Sequence, residues 1–213
     1  DSERRQNARE GATLAGTGEC PRSMDNVTND WLAKLTGADR VISFEKTVAE
    51  FGVSGYSDAF VVSPKYAGGN KGPRSILLKF AKETESVRAA AMAVNAYGKE
   101  ARFYKELADK VSIRIPKQYG IFQDKELPKQ FSCLALEDFT EMGEAGDQLT
   151  GYDFNQSTDL CVAVGKMHGK FMGEAVLGQE WLNMGEVHAP KRRICIPWNT
   201  GWIDSFLDDP QGN

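Results

Sequence analysis

A chain of 213 residues with 41% hydrophobic and 26% charged residues has globular composition, enough for one large domain or two small ones. Its 26 Lys plus Arg against 30 Asp plus Glu give a formal charge of −4, not the basic excess of a dedicated nucleic-acid binder. No apolar run approaches the length of a membrane span.

Residues 1–22 are polar and aperiodic and read as an extended arm. The chain begins at Asp1 and no signal-type apolar segment is seen, so any targeting segment is expected to be already removed; the cysteine usage sets the expectation of an intracellular compartment, cytoplasm or an organelle. Cys20, Cys133, Cys161 and Cys195 form no CxxC pair, which removes zinc-ribbon and thioredoxin-like readings; disulfides stay open, but a chain of this size does not need them, so reduced thiols are the expectation. Asn26-Val27-Thr28 and Asn155-Gln156-Ser157 fit the glycosylation acceptor pattern, at a frequency that chance also supplies.

Thr28 is an N-cap candidate, Trp31, Leu32 and Leu35 share one helical face, and Gly37 marks the stop. Val41–Val48, Ala59–Ser63 and Ser75–Phe80 read as strands of an antiparallel meander. The turn-rich segment 66–73 connects the second and third. From Ser86 to Leu107 the pattern is that of one long helix, with Glu100, Phe103, Tyr104 and Leu107 at helical spacing. Pro116 blocks further helix. Gln118–Phe122 and Phe131–Leu136 read as two more strands around a hairpin-type loop. After Asp138 comes a loop, then a second long helix over 155–175. Its Leu160, Val164, Met167 and Phe171 recur at i, i+4, i+7 and i+11. Residues 187–213, with Trp198, Trp202 and Phe206, carry no clear assignment.

One constellation carries chemistry. A nucleoside triphosphate site needs a backbone turn over the phosphates, a cation reaching their oxygens and a carboxylate fixing that cation. Gly52 and Gly55 lie in the turn after the first strand, where glycine permits close backbone approach. Lys79 interrupts the apolar run Ile76-Leu77-Leu78-Lys79-Phe80, where an unpaired charge is costly. Glu100 on the following helix supplies a partner, and Leu136-Glu137-Asp138 ends a buried strand where a second lobe would start. Taken singly, these are also a hairpin turn, an edge-strand lysine and a solvated glutamate. As a pair, Lys79 and Glu100 read also as a purely structural bridge between sheet and helix. Their order along the chain favours the nucleotide reading.

From about Val27 to Trp181 the chain resembles the aminoglycoside-phosphotransferase and choline-kinase-like superfamily, with a protein-kinase-like fold, and within it the ecdysteroid-kinase-like group. The matching stretches are Trp31-Leu32, residues 52–58, residues 76–80, Glu100-Ala101-Arg102-Phe103-Tyr104, Pro116-Lys117-Gln118-Tyr119, residues 134–139 and Gly165-Lys166-Met167-His168-Gly169-Lys170-Phe171. The resemblance implies an α+β fold: a kinase-like N-lobe over 23–139, with a five-stranded antiparallel sheet plus a long helix. The start of an incomplete helical C-lobe and an irregular tail follow over 140–213. It implies ATP and magnesium as cofactors and transfer of the γ-phosphate to a hydroxyl of a small molecule. Lys79 would contact the phosphates, Glu100 would hold Lys79, and Gly52, Gly55 and Ser57 would form the covering turn. The backbone around Leu136, Glu137 and Asp138 would meet the adenine.

The chain departs from that family where the catalytic base and metal ligands belong. No His-x-Asp stretch with a following Asn is present: His168-Gly169-Lys170 has lysine in place of the aspartate, and Asp138-Phe139-Thr140 follows the hinge strand too early to be the metal motif. His188, Asp204, Asp208 and Asp209 lack matching context. No catalytic and no metal-binding residue is therefore assigned. Two expectations remain: the ATP-binding portion of a longer small-molecule kinase, or a non-catalytic, pseudokinase-like accessory or scaffold subunit. In either case the Leu160, Val164, Met167, Phe171 face calls for cover, by a protein partner that also holds arm 1–22 or by the remaining C-lobe.

Overall fold

The computed structural model describes residues 19–49, 55–68, 72–127, 129–140, 142–143 and 150–182. The chain divides into two units, Asp1–Lys170 and Phe171–Asn213. Arm residues 1–18, Gly52 and the segment 183–213 lie outside the described residues.

The first unit is α+β. A short 3-10 turn, Met24–Asn26, leads into helix α1, Asn29–Thr36. Thr28 caps α1 as expected, its hydroxyl accepting the Trp31 N–H at 3.1 Å. Gly37 ends the helix at φ +68°, the left-handed position that glycine takes without strain. Five strands follow: β1 Val41–Val48, β2 Ser57–Tyr66, β3 Ile76–Ala81, β4 Gln118–Gln123 and β5 Ser132–Glu137. They form one antiparallel sheet in the order β1-β2-β3-β5-β4. The expected meander is its first three strands, and β5 sits inside with β4 on the edge.

The register sorts the strands into two faces. Phe60, Val62, Ile76, Leu78, Phe80, Cys133 and Ala135 share one, in rows set by Phe60↔Leu78↔Ala135 and Asp58↔Phe80↔Cys133. They pack with Leu32 and Leu35 of α1 and with Cys20, Met24 and Val27 in the main core. Ile76, Leu78 and Val62 are fully buried, each stabilising the fold by about 1.5–3 kcal/mol. Cys20 is part of this core, and Arg22 is bound to Asp124 at 2.7 Å. The last residues of the expected arm are thus part of the packed body. Aperiodic polar sequence around Cys20 hides this, because one buried thiol makes no pattern.

The single long helix expected over 86–107 is two helices, α2 Glu85–Ala93 and α3 Ala96–Glu106. The break is at Asn95, whose φ of +50° is left-handed, a conformation that asparagine tolerates better than most residues. Gly98 accommodates the break: a Cβ there would lie 2.3 Å from the Asn95 side-chain oxygen. Both helices close over the strand ends, where Ala91 of α2 and Tyr97 of α3 pack with Ala81, Tyr56 and Ala96.

Helix α4, Phe154–Phe171, runs to the division between the units and has no buried residue. Leu160 is 52% exposed and Phe154 is 84% exposed. In the second unit, Ala175–Gly178 form a 3-10 turn and the Trp181 indole N–H donates to the Gln179 side chain. Among the described residues, no helix is long and apolar enough to cross a membrane.

Candidate functional site

The sheet face opposite the main core carries Ser57 and Ala59 of β2, Leu77, Lys79 and Ala81 of β3, and Leu134 and Leu136 of β5. Lys79 lies in register between Ala59, 2% exposed, and Leu134, 7% exposed. An ammonium in such an apolar row requires a partner. Glu100 of α3 provides it: the Lys79 Nζ donates to Glu100 Oε1, with the side chains 12% and 34% exposed. The expected pairing is present, and one side of it faces solvent.

Tyr97 and Tyr104 flank the glutamate along α3. They stand three residues before and four after Glu100, so all three share one helix face. The Tyr97 hydroxyl donates to the Tyr56 carbonyl at 2.7 Å, and the same carbonyl accepts the Lys82 N–H at 3.1 Å. That anchors the start of α3 to the end of the sheet where β2 begins and β3 finishes. Burial pushes the Tyr104 phenol up to about 12, and the nearby Glu100 charge adds to the effect. Tyr104 is therefore a neutral wall beside the ion pair at physiological pH.

The remaining predicted residues are placed as follows. Ser57 is 4% exposed at the start of β2, opposite Ala81, on the Lys79 face. Gly55 lies in the turn just before it. A Cβ at Gly55 would meet nothing within 4 Å, and its φ is not left-handed. Its backbone conformation therefore does not itself demand glycine, and the space beside it is open. Gly52 falls outside the described residues.

Leu136 faces the same side as Lys79, in register with Leu77. Glu137 and Asp138 are engaged in holding the strand end. Glu137 accepts the Lys117 N–H at 3.0 Å, pairs with Arg114 at 3.5 Å, and donates its own N–H to the Lys117 carbonyl at 2.7 Å. Asp138 accepts the Thr140 N–H at 3.0 Å. Burial acts to raise the Asp138 pKa, but hydrogen bonds from Thr140 and Ser75 prevail and hold it below the usual carboxylate value. Arg114 also lies 4.9 Å over the Phe139 ring. Two carboxylates and one arginine thus fix the segment leaving β5. Sequence reasoning missed Arg114, which lies in an irregular stretch with no periodic signal. It also missed Ala59 as the small residue seating Lys79; the small pair Ser57 and Ala59 at alternate strand positions was the available sign.

Among the described residues, no group of three or more His, Cys, Asp or Glu side chains is arranged to hold a metal ion, so no magnesium ligand is assigned. The site as it stands is one shielded ammonium fixed by a carboxylate, on an otherwise apolar face. No family model matches the chain, and no curated protein matches it.

Proposed function

We propose that this chain is the ATP-binding portion of a kinase-like phosphotransferase directed at small-molecule hydroxyls. The observation that carries the reading is the Lys79–Glu100 pair, a cation on β3 fixed by a helix glutamate. Protein kinases use this arrangement to orient ATP phosphates. The apolar neighbours Leu77 and Leu136 on the same face offer a surface for a flat base. Ser57, two residues after Gly55, stands on that same face. Phosphoryl transfer by these 213 residues alone is not expected, because no His-x-Asp stretch is present to take the acceptor's proton. The experiment is a titration with a fluorescent ATP analogue, with magnesium supplied alongside the nucleotide. Saturation, competition by ATP and loss in Lys79→Met support the reading; no saturation by the folded chain refutes it.

A second reading, a non-catalytic accessory subunit, draws on α4. A helix of 18 residues with none buried, whose expected face has Leu160 exposed and Val164, Met167 and Phe171 half-buried, has the character of a surface meant for cover. Hydrogen exchange on the isolated chain tests it: rapid exchange throughout α4 fits an uncovered helix, and strong protection removes the reading.

A further inference from the structure

Strand β1 is an edge of the sheet, paired with β2 on one side. The Ala49 N–H donates to the Ala59 carbonyl at 2.9 Å, and this pair continues the register Val48↔Phe60. In an antiparallel pair, alternate residues exchange bonds with the neighbour, and those between turn their backbone groups away. Ala49, Thr47 and Glu45 therefore bond β2, while Val48, Lys46 and Phe44 point N–H and C=O outward. Two observations agree. Pro64, opposite Phe44, has no N–H to give it. The outward carbonyl of Ile42 is taken by the Asn29 side chain at 2.9 Å. Asn29 thus closes the edge at Ile42. Beyond it, no other described residue bonds the outward groups of Phe44, Lys46 and Val48. The devices that usually protect such an edge are weak here. The strand has no proline. Its charges are already paired, Lys46 with Asp25 at 3.4 Å and Glu45 with Lys65 at 2.8 Å. Val48 is 71% exposed.

We infer that a second copy of this chain pairs here, β1 against β1 in antiparallel order, with Lys46 at the two-fold axis. This register uses only the free groups of Phe44, Lys46 and Val48. A shift of the axis toward Ile42 would need the carbonyl that Asn29 holds. The side chains match on both faces. On the core face, Phe44 meets Val48 of the second copy, apolar against apolar. On the other face, Thr47 meets Glu45 of the second copy, hydroxyl donor against carboxylate. The two Lys46 side chains face each other, each with its charge answered by its own Asp25. Strand addition of this kind draws its affinity from main-chain bonds and its selectivity from the alternating side chains. The contact is short, so the dimer is weak and concentration-dependent. It is independent of the nucleotide reading, because Lys79 lies on β3, two strands from this edge.

The experiment is sedimentation velocity on the full chain from about 10 µM to about 1 mM. Growth from monomer toward dimer is expected. Val48→Lys sits at an exposed position, so it should keep the native melt while weakening association about tenfold or more. Leu160→Glu on α4 and Lys79→Met should associate as the native chain does, so failure of the nucleotide proposal leaves this one standing. Cysteine cross-linking reads the register in a Cys161→Ser, Cys195→Ser background. Lys46→Cys should form an intermolecular disulfide on mild oxidation, because residue 46 faces its own copy. Thr47→Cys should not, because residue 47 faces residue 45. A monomer across the whole range, association undiminished in Val48→Lys, association lost in Leu160→Glu, or Thr47→Cys linking as readily as Lys46→Cys would overturn the inference.

Discussion

The Lys79 ammonium of β3 is held by the Glu100 carboxylate of α3, a residue 21 positions further along the chain. The lysine is the more shielded member, 12% exposed against 34% for the glutamate. This asymmetry decides which partner the fold tolerates losing. Glu100→Gln leaves a shielded cation short of its counter-charge and should cost about 1–3 kcal/mol. Lys79→Met fills the seat between Ala59 and Leu134 with an apolar chain and leaves Glu100 closer to water, so it should cost less. Urea denaturation of the two variants checks the order; a larger loss for Lys79→Met contradicts it.

Arg22 and Asp124 join the segment before α1 to the β4–β5 hairpin. The Asp124 carboxylate accepts from Arg22 at 2.7 Å and from the Glu126 and Leu127 N–H groups at 3.0 and 2.8 Å. The Arg22 hydrogen bond, then that from Leu127, holds its pKa below the usual carboxylate value. A group with a depressed folded pKa adds stability above its unfolded pKa, about 3.9, and loses it as pH falls through the folded value. Asp124→Asn should therefore lower Tm at pH 7, and the gap to the native chain should close as the pH drops below about 4. A gap that stays constant into acid would show that the charge plays no part.

The break between α2 and α3 makes a prediction of coupling. Gly→Ala in a helix interior ordinarily stabilises by about 1 kcal/mol. At Gly98 the added Cβ meets the Asn95 side chain, so Gly98→Ala should gain less than that or lose stability. In an Asn95→Gly background, which also relieves the positive φ of residue 95, the ordinary gain should return. Thermal melts of the two single variants and the double variant measure this, and strict additivity would contradict the contact.

The same residues show what the sequence makes legible. β3 and β5 read clearly because Ile76–Phe80 and Cys133–Leu136 are apolar runs interior to a sheet. α1 reads clearly because both caps are local, Thr28 before it and Gly37 after. The Lys79–Glu100 pair was legible because a lysine inside an apolar strand requires a partner. The helix break was not, since Asn95 and Gly98 are tolerated inside a helical pattern and become a break only together. β2 extends past the expected Ser63 to Tyr66 through Pro64, which pairs with Phe44 of the edge strand. Nor were the structural duties of Glu137 and Asp138 legible, because Lys117, Arg114 and Thr140 reach them only after the sheet and the following turn have formed.

The cysteines report on packing. Burial pushes the Cys20 thiol up to about 11 and drives Cys133 well above its ordinary value, whereas Cys161 is exposed on α4. The thiolate is the reactive form. At pH 8 a maleimide should therefore modify Cys161 quickly and Cys20 and Cys133 only on unfolding. Site-resolved mass spectrometry checks this, and early labelling of Cys133 would contradict its place in the core.

The measurement closest to the central claim is calorimetric titration of the full chain with ATP in magnesium buffer, beside Lys79→Met, Glu100→Gln and their double variant. Saturable binding is predicted for the native chain, weakened by Glu100→Gln and abolished by Lys79→Met. The double variant should be no worse than Lys79→Met, because the glutamate acts through the lysine. ATP binding undiminished in folded Lys79→Met, or none by the folded native chain, would contradict the claim.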